Sequence, residues 1–295
     1  MSYNYLPLDR KPLQFQQIKH LLEYNQLVSI TFDAHEKIMD CRAFLDQKMK
    51  ETGKMYYGVN TGFGFLQNIQ ISLDQIEQLQ YNLIVSHACG LGEEVPKDII
   101  KLMMMLKIKQ LSYGHSGVQI NTVIRLMDMY NQDILPVIYT QGSLGASGDL
   151  APLSHLSLPL LGLGEVYYQG KKWPANKVLK IMNWEPIHLQ SKEGLALING
   201  TQFMNAYGLY CLKKAEQLLK MADLIAALSI EAFDCLLEPY HPAIHQIRGH
   251  QGQIDTAAAL RCFLAGSEIA QQTKKQVQDP YSFRCIPPVS YTHLT

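Results

Sequence analysis

Across residues 201–237 the chain carries no proline and a single glycine, Gly208. Proline removes a donor from a helix interior and glycine weakens it, so so long a stretch without either predicts one helix well beyond ordinary globular length. A helix of that kind must be covered along its length, which points to a bundle. The rest of the sequence agrees. Over 33–52 the apolar residues Ile38, Cys41, Phe44, Leu45 and Met49 fall on one helical stripe, with Asp33 as the candidate N-cap and Gly53 just past the end. Ser72-Leu73-Asp74-Gln75 has the form of a capping box and opens a predicted helix that runs to Cys89 and stops at Gly90. Residues 96–113 and 118–132 predict two more helices, separated by Gly114 and Gly117. The clearest strand signal is 165–168 with 171–173, a hairpin turning at Gln169-Gly170. The expected class is mainly α, with residues 1–200 as an N-terminal helical domain and 201–287 as the start of a long-helix bundle.

The 295 residues are 47% apolar, ample for a large buried core. Lys plus Arg and Asp plus Glu balance at 26 each, so no summed field favours nucleic acid or an anionic membrane, and a small-molecule partner is expected. The cysteines are widely spaced with no C-x-x-C pair, which predicts reduced thiols and a cytoplasmic location. No apolar signal-peptide region is expected in residues 1–13. The most apolar stretches, 194–212 and 221–237, are interrupted by Asn199, Gln202, Asn205, Asp223, Glu231 and Asp234, so they read as core helices and not membrane spans.

Two glycine-rich loops interrupt this helical background: Gly58-Val59-Asn60-Thr61-Gly62-Phe63-Gly64, and Gly142-Ser143-Leu144-Gly145-Ala146-Ser147-Gly148-Asp149. Loops held by a rigid scaffold are where chemistry tends to sit. The second does not match G-x-G-x-x-G, lacks the lysine of a P-loop, and misses the G-x-S-x-G nucleophile elbow by one residue. His241 and His245 have i, i+4 spacing, but Pro242 follows the first and the H-E-x-x-H glutamate is missing, so no metal is expected there.

What remains is chemistry of the backbone itself. Without a Cβ, Gly148 can bring its amide nitrogen close to the Ala146 carbonyl carbon. Attack there closes a five-membered ring. Loss of water from that centre and of the Ser147 hydroxyl leaves an exocyclic methylidene conjugated to a carbonyl, an electrophile made from ordinary residues. Taken alone, Ala-Ser-Gly reads as a turn before a helix at Asp149.

The run from Gly142 to Leu153, GSLGASGDLAPL, closely resembles the signature of the aromatic amino acid ammonia-lyases, whose prosthetic group is 4-methylideneimidazol-5-one (MIO). Further blocks follow in family order: Tyr57-Gly58-Val59-Asn60-Thr61-Gly62-Phe63-Gly64, Ser86-His87-Ala88-Cys89-Gly90, Gly114-His115-Ser116-Gly117-Val118, Lys192-Glu193-Gly194-Leu195-Ala196-Leu197-Ile198-Asn199-Gly200-Thr201-Gln202, and Gln278-Asp279-Pro280-Tyr281-Ser282-Phe283-Arg284-Cys285. The resemblance implies an L-aspartase/fumarase-like bundle with an N-terminal MIO-bearing domain. MIO would form autocatalytically from Ala146, Ser147 and Gly148, without any external cofactor.

By the same resemblance Tyr57 would be the base for the β-proton, although an ordinary tyrosine pKa near 10 demands nearby positive charge or donors. His87 would face the substrate side chain: Ser-His at this place resembles the histidine ammonia-lyase branch, where His-Leu resembles the tyrosine branch and Phe-Leu the phenylalanine branch. One imidazole can hydrogen-bond another, and a phenyl substrate would leave that bond unmade. Arg284 would grip the substrate carboxylate, Asn199 would contact the amino group or the MIO oxygen, and Gln278 and Tyr281 would complete the site. Seen from the residues alone, Asn199 is an unexplained buried amide in an apolar helix.

The implied reaction is elimination of ammonia from L-histidine to trans-urocanate, opening histidine catabolism, with either the substrate amine or its ring attacking the electrophile. The implied assembly is a homotetramer with shared sites, to which Tyr281 and Arg284 reach from a neighbour. Alternatives are a tyrosine or phenylalanine ammonia-lyase or aminomutase, and an inactive truncated fragment. The fragment reading rests on residues 288–295, PVSYTHLT, which depart from the family pattern and are expected to be a foreign ending.

Overall fold

The computed structural model describes residues 5–50, 54–273 and 276–292. Its compact units are Met1–Tyr210 and Cys211–Thr295. In the first, β1 (Tyr5–Leu8), α1 (Phe15–Glu23) and β2 (Leu27–Ile30) form a crossover whose strands pair in parallel, Tyr5 opposite Leu27. Next come α2 (Phe32–Met49), α3 (Ile76–His87), β3 (Leu91–Glu94), α4 (Lys97–Ser112) and α5 (Ile120–Asn131). They are followed by β4 (Leu135–Pro136), β5 (Tyr139–Gln141), α6 (Leu150–Ser157), β6 (Glu165–Tyr168), β7 (Lys171–Pro174), α7 (Ala175–Ile181) and α8 (Glu193–Ile198). β3 pairs antiparallel with β5, and β4, β6 and β7 make a second antiparallel sheet in that order. α9 (Gln202–Ala232) begins in the first unit and continues into the second, which also holds α10 (Pro242–Gln246), α11 (Gln251–Phe263), α12 (Tyr281–Arg284) and α13 (Ile286–Thr292).

α4 sits at the centre of the first unit because its apolar residues cover most of its circumference: Ile99, Ile100, Leu102, Met103, Met104, Met105, Ile108 and Leu111 are all buried. Burying one such side chain contributes about 2 kcal/mol. A separate, smaller core in the second unit gathers Ala227, Ile230, Cys235, Tyr240, Leu260 and Leu264. There the Tyr240 hydroxyl donates to Phe283 O at 3.0 Å, and Leu236 N donates to Asp279 Oδ2 at 2.6 Å.

The mainly helical class and the long helix are as expected from the sequence, and so is the hairpin. Its turn residues Gln169 and Gly170 have left-handed φ values of 49° and 76°, the backbone a two-residue hairpin needs. Two helix starts differ. The N-cap of α2 is Thr31, not Asp33; its hydroxyl accepts from Ala34 N at 3.3 Å. The expected stop at Gly53 lies outside the described residues. The capping box at Ser72 does not form, because Gln75 N donates instead to the Ser72 carbonyl at 3.0 Å in a 3₁₀ turn, and α3 starts later, at Ile76.

α5 and α8 are joined by one buried carboxylate. Glu193 Oε1 accepts from Gln119 N at 2.8 Å and Thr122 Oγ1 at 2.7 Å. Glu193 Oε2 accepts from Gln119 Nε2 at 2.6 Å and Gln190 N at 2.8 Å. Each oxygen faces a backbone N–H, which only donates, so a glutamine amide in either orientation sets its own N–H group against another donor. Glu193→Gln is therefore expected to lower unfolding free energy by about 2–4 kcal/mol in urea titrations, and a loss under about 1 kcal/mol would contradict this account.

Candidate active site

The site is built where α8 ends and α9 has not yet begun. Asn199, expected as a buried amide within a helix, is instead the C-cap of α8, extended at φ −87° and ψ 106°, with an exposed side chain. The helix stops because Asn199-Gly200-Thr201 favours a break over continuation. The freed amide of Asn199 donates from Nδ2 to Ser147 O at 2.8 Å and lies 3.4 Å from Ser147 Oγ. Behind it, Asp149 N donates to Gly200 O at 2.7 Å.

The Ala146-Ser147-Gly148 loop is doubled tightly on itself, with bridges between Gly145 and Gly148 and between Ala146 and Gly148. Gly148 has a left-handed φ of 93°, and a Cβ there would lie 2.5 Å from Gly200 O and 2.9 Å from Gly200 N. Only glycine fits. A folded-back loop whose third residue lacks a Cβ suits approach of the Gly148 nitrogen to the Ala146 carbonyl.

Beneath the loop lies a polar network that sequence reasoning missed. Asp149 is buried; its Oδ1 accepts from Ser143 Oγ at 3.0 Å and its Oδ2 from Met204 N at 3.0 Å, in the first turn of α9. A helix N-terminus offers unpaired N–H groups and partial positive charge, so it suits a carboxylate. Lys107, fully buried in α4, donates to Gln110 Oε1 at 2.8 Å and to Ala196 O at 3.2 Å, near the end of α8. Gln110 Oε1 also accepts from Gln202 Nε2 at 3.0 Å. Burial pulls the Lys107 ammonium down to about 7, against the opposing pull of the Asp149 charge. The available signals were an acid directly after the tripeptide and a lysine inside an apolar run, and neither names its distant partner.

His87 is the last residue of α3. Its Nδ1 lies 2.8 Å from Leu83 O and 3.2 Å from Ser86 Oγ. A carbonyl only accepts, so Nδ1 carries the hydrogen and Nε2 is left as an acceptor. Tyr57 is exposed, accepts from Gly64 N at 3.4 Å, and packs edge-on to Phe63. Its neighbour Gly58 presses on Leu195 of α8: a Cβ at Gly58 would lie 2.6 Å from Leu195 Cδ2. The Tyr57 loop therefore rests on the helix that ends in Asn199.

Gln278, Tyr281 and Arg284 belong to the second unit. The Gln278 amide oxygen accepts from Arg284 Nε at 2.7 Å and Nη2 at 3.0 Å, in the amide orientation that satisfies both groups. The two line a cavity of about 480 Å³ that also meets His245 and Gln253. Tyr281 is exposed. His245 is buried between Pro239 O at 3.0 Å and Gln253 Nε2 at 2.9 Å, and His241 accepts from Ala243 N as the N-cap of α10. Among the described residues no cluster of three or more His, Cys, Asp or Glu side chains could hold a metal ion, and no helix is long and apolar enough to cross a membrane.

A serine–glycine turn shaped to close on itself and seated on a helix break is not a hydrolase or nucleotide-binding arrangement. The chain belongs to the aromatic amino acid lyase family, whose profile, "Aromatic amino acid lyase", matches residues 13–291. Histidine ammonia-lyase of Deinococcus radiodurans is 46% identical over 285 residues, covering 96% of this chain and 54% of that protein. Among solved structures, the ergothioneine-degrading ergothionase of Treponema denticola superposes with a TM-score of 0.91 at 29% identity, over 98% of this chain and 58% of that one. Histidine ammonia-lyase from Trypanosoma cruzi superposes at 0.86 and 35% identity, over 98% of this chain and 54% of that one. The fold is thus of the L-aspartase/fumarase-like class. The chain spans about half the length of the curated relatives it matches.

Gly148→Ala must either push Gly200 away or unfold the loop. Its unfolding free energy is expected to fall by about 1–3 kcal/mol, with hydrogen exchange at Asp149 accelerated because its bond to Gly200 is lost. Unchanged protection at Asp149 would contradict the close packing.

Proposed function

We propose that the whole protein eliminates ammonia from L-histidine to give trans-urocanate, using an MIO group formed from Ala146, Ser147 and Gly148. The observation that carries this reading is the doubled-back Ser147 loop, held by Asn199 Nδ2 at 2.8 Å and closed by a residue that only glycine can fill. Family membership and the histidine ammonia-lyases at 42–46% identity support it. When formed, the group supplies an electrophilic carbon against which a poor leaving group becomes a better one.

The chain's own residues then divide the work. Asn199 holds the Ser147 carbonyl. Tyr57 takes the β-proton on its phenolic oxygen. His87, with Nδ1–H engaged by Leu83 O, accepts at Nε2 from the N–H of the substrate imidazole, a bond that a phenyl ring does not offer. Arg284 binds the carboxylate at the site of a neighbouring subunit: Gln278 takes up Nε and one Nη2 hydrogen and Cys285 Sγ one Nη1 hydrogen at 3.6 Å, which leaves one hydrogen on each terminal nitrogen for an acceptor. Tyr281 completes that neighbouring site. We place the protein in the cytoplasm as a homotetramer with shared sites. The shared assembly is supported by an apolar seam on α9, where Leu218, Met221, Ile225 and Leu228 are exposed at heptad-like spacing.

The test is intact mass together with turnover. The protein is expected to be lighter than its sequence by two waters, and Ser147→Ala to have the unmodified mass and no activity. His87→Leu is expected to lower kcat/KM for L-histidine by about 100-fold or more while keeping the lighter mass. Faster turnover of L-tyrosine or L-phenylalanine than of L-histidine would overturn the substrate assignment.

A further inference from the structure

The turn that carries Ser86-His87 and the loop that carries Ser147 touch each other through glycines. His87 closes α3, Cys89 N donates to His87 O at 2.9 Å, and Gly90 follows at once. A Cβ on Gly142, at the start of the Ser147 loop, would lie 3.2 Å from Gly90 Cα. A Cβ on Gly90 would lie 2.9 Å from His155 Nε2 and 3.4 Å from Gln141 O. Three segments therefore converge on one point: the end of α3, the end of β5, and α6.

His155 is the polar group at that point. It projects from α6, the helix that begins directly after the Ser147 loop, and it is 9% exposed. Its Nε2 lies 2.9 Å from Gly90 N, and its ring packs edge-on against Tyr139 of β5 at 5.3 Å between centroids. A backbone N–H only donates, so Nε2 must offer a lone pair and Nδ1 must carry the hydrogen. Burial, the one cause of its shift, holds the imidazole below its ordinary value, which keeps the lone pair available at neutral pH. Tyr139 is the titratable ring packed against it.

We propose that His155 is a positioning residue for substrate recognition: by accepting the Gly90 N–H it fixes the turn behind His87 at a set distance from the Ser147 loop. The inference rests on the reading that His87 meets the substrate side chain. It assigns a task to a second, buried histidine that does not touch substrate. An imidazole bond between His87 and a substrate ring demands a directed approach, and a reader that drifts relative to the electrophile satisfies one end of the substrate at the expense of the other.

The experiment compares His155→Leu and His155→Gln in the full-length protein, with intact mass, KM and kcat for L-histidine read for each. Leucine fills the space but orphans the Gly90 N–H; glutamine retains an acceptor that does not titrate. His155→Leu is expected to raise KM about tenfold with kcat within about threefold, and His155→Gln to return KM to within about threefold of the parent. Unchanged KM in His155→Leu, or equal damage in both variants, overturns the proposal, since the second result makes ring packing the cause.

Should His155→Leu fail to fold, the parent and His155→Gln are compared from about pH 8 to about pH 5. Protonation turns Nε2 into a donor facing a donor in the parent alone, so the ratio of parent KM to variant KM is expected to rise on acidification. Every other pH effect on binding is common to both proteins and cancels. A flat ratio overturns the proposal. If the parent protein lacks the two-water mass loss or does not turn over L-histidine, the functional reading fails first and this inference falls with it.

Discussion

The candidate site depends on a helix that breaks. Had α8 run on into α9, the backbone groups between them would have been consumed by i to i+4 bonds. The break at Asn199-Gly200-Thr201 instead leaves Gly200 O for Asp149 N, Met204 N for the Asp149 carboxylate, and the Asn199 amide for Ser147 O. Two positions of the loop, 147 and 149, are thus held by one interruption. The Gly200 backbone also supplies the wall against which Gly148 lies, so position 148 admits only glycine, while a Cβ on Gly200 would run into the Gln202 side chain.

That arrangement needs charge in a dry place. Asp149 sits under the loop, its side chain held by the first turn of α9, and Lys107, drawn down to about 7 by burial, lies on the α4 side. A buried charge is tolerated when it is paired and hydrogen-bonded, and destabilising when it is not. Lys107 meets the condition through Gln110 and Ala196, the latter carbonyl belonging to α8 just before the break. The same side chain therefore anchors the end of one helix and answers the acid that caps the next.

Periodicity made the helices legible, and the proline-free stretch gave α9 to within a few residues of its ends. Motif blocks made the loop legible. What escaped was whatever depends on pairing distant in sequence. β3 reads Leu-Gly-Glu-Glu and has no strand character of its own; it is a strand because Tyr139 to Gln141 lies beside it. Asn199 looked helical because its neighbours Ile198 and Gln202 are, yet its amide is used across 52 positions of sequence. His155 carries no signal of its own in the sequence, and only the contact with Gly90 sets it apart.

The glycines themselves explain why the site reads so strongly in sequence and so weakly in composition. Gly90, Gly142 and Gly148 are each pressed against another segment's backbone or ring, and each marks a place where two pieces of chain approach closer than any side chain permits. Such contacts are short-range and unforgiving, so they position His87 and Ser147 with a stiffness that side-chain packing alone would not provide. Polar groups then fix direction within that frame: Leu83 O sets the His87 tautomer, Asn199 turns the Ser147 carbonyl, and Asp149 ties the loop's far end to α9. The frame is made by what these residues lack, and the chemistry by the few side chains it leaves free to act.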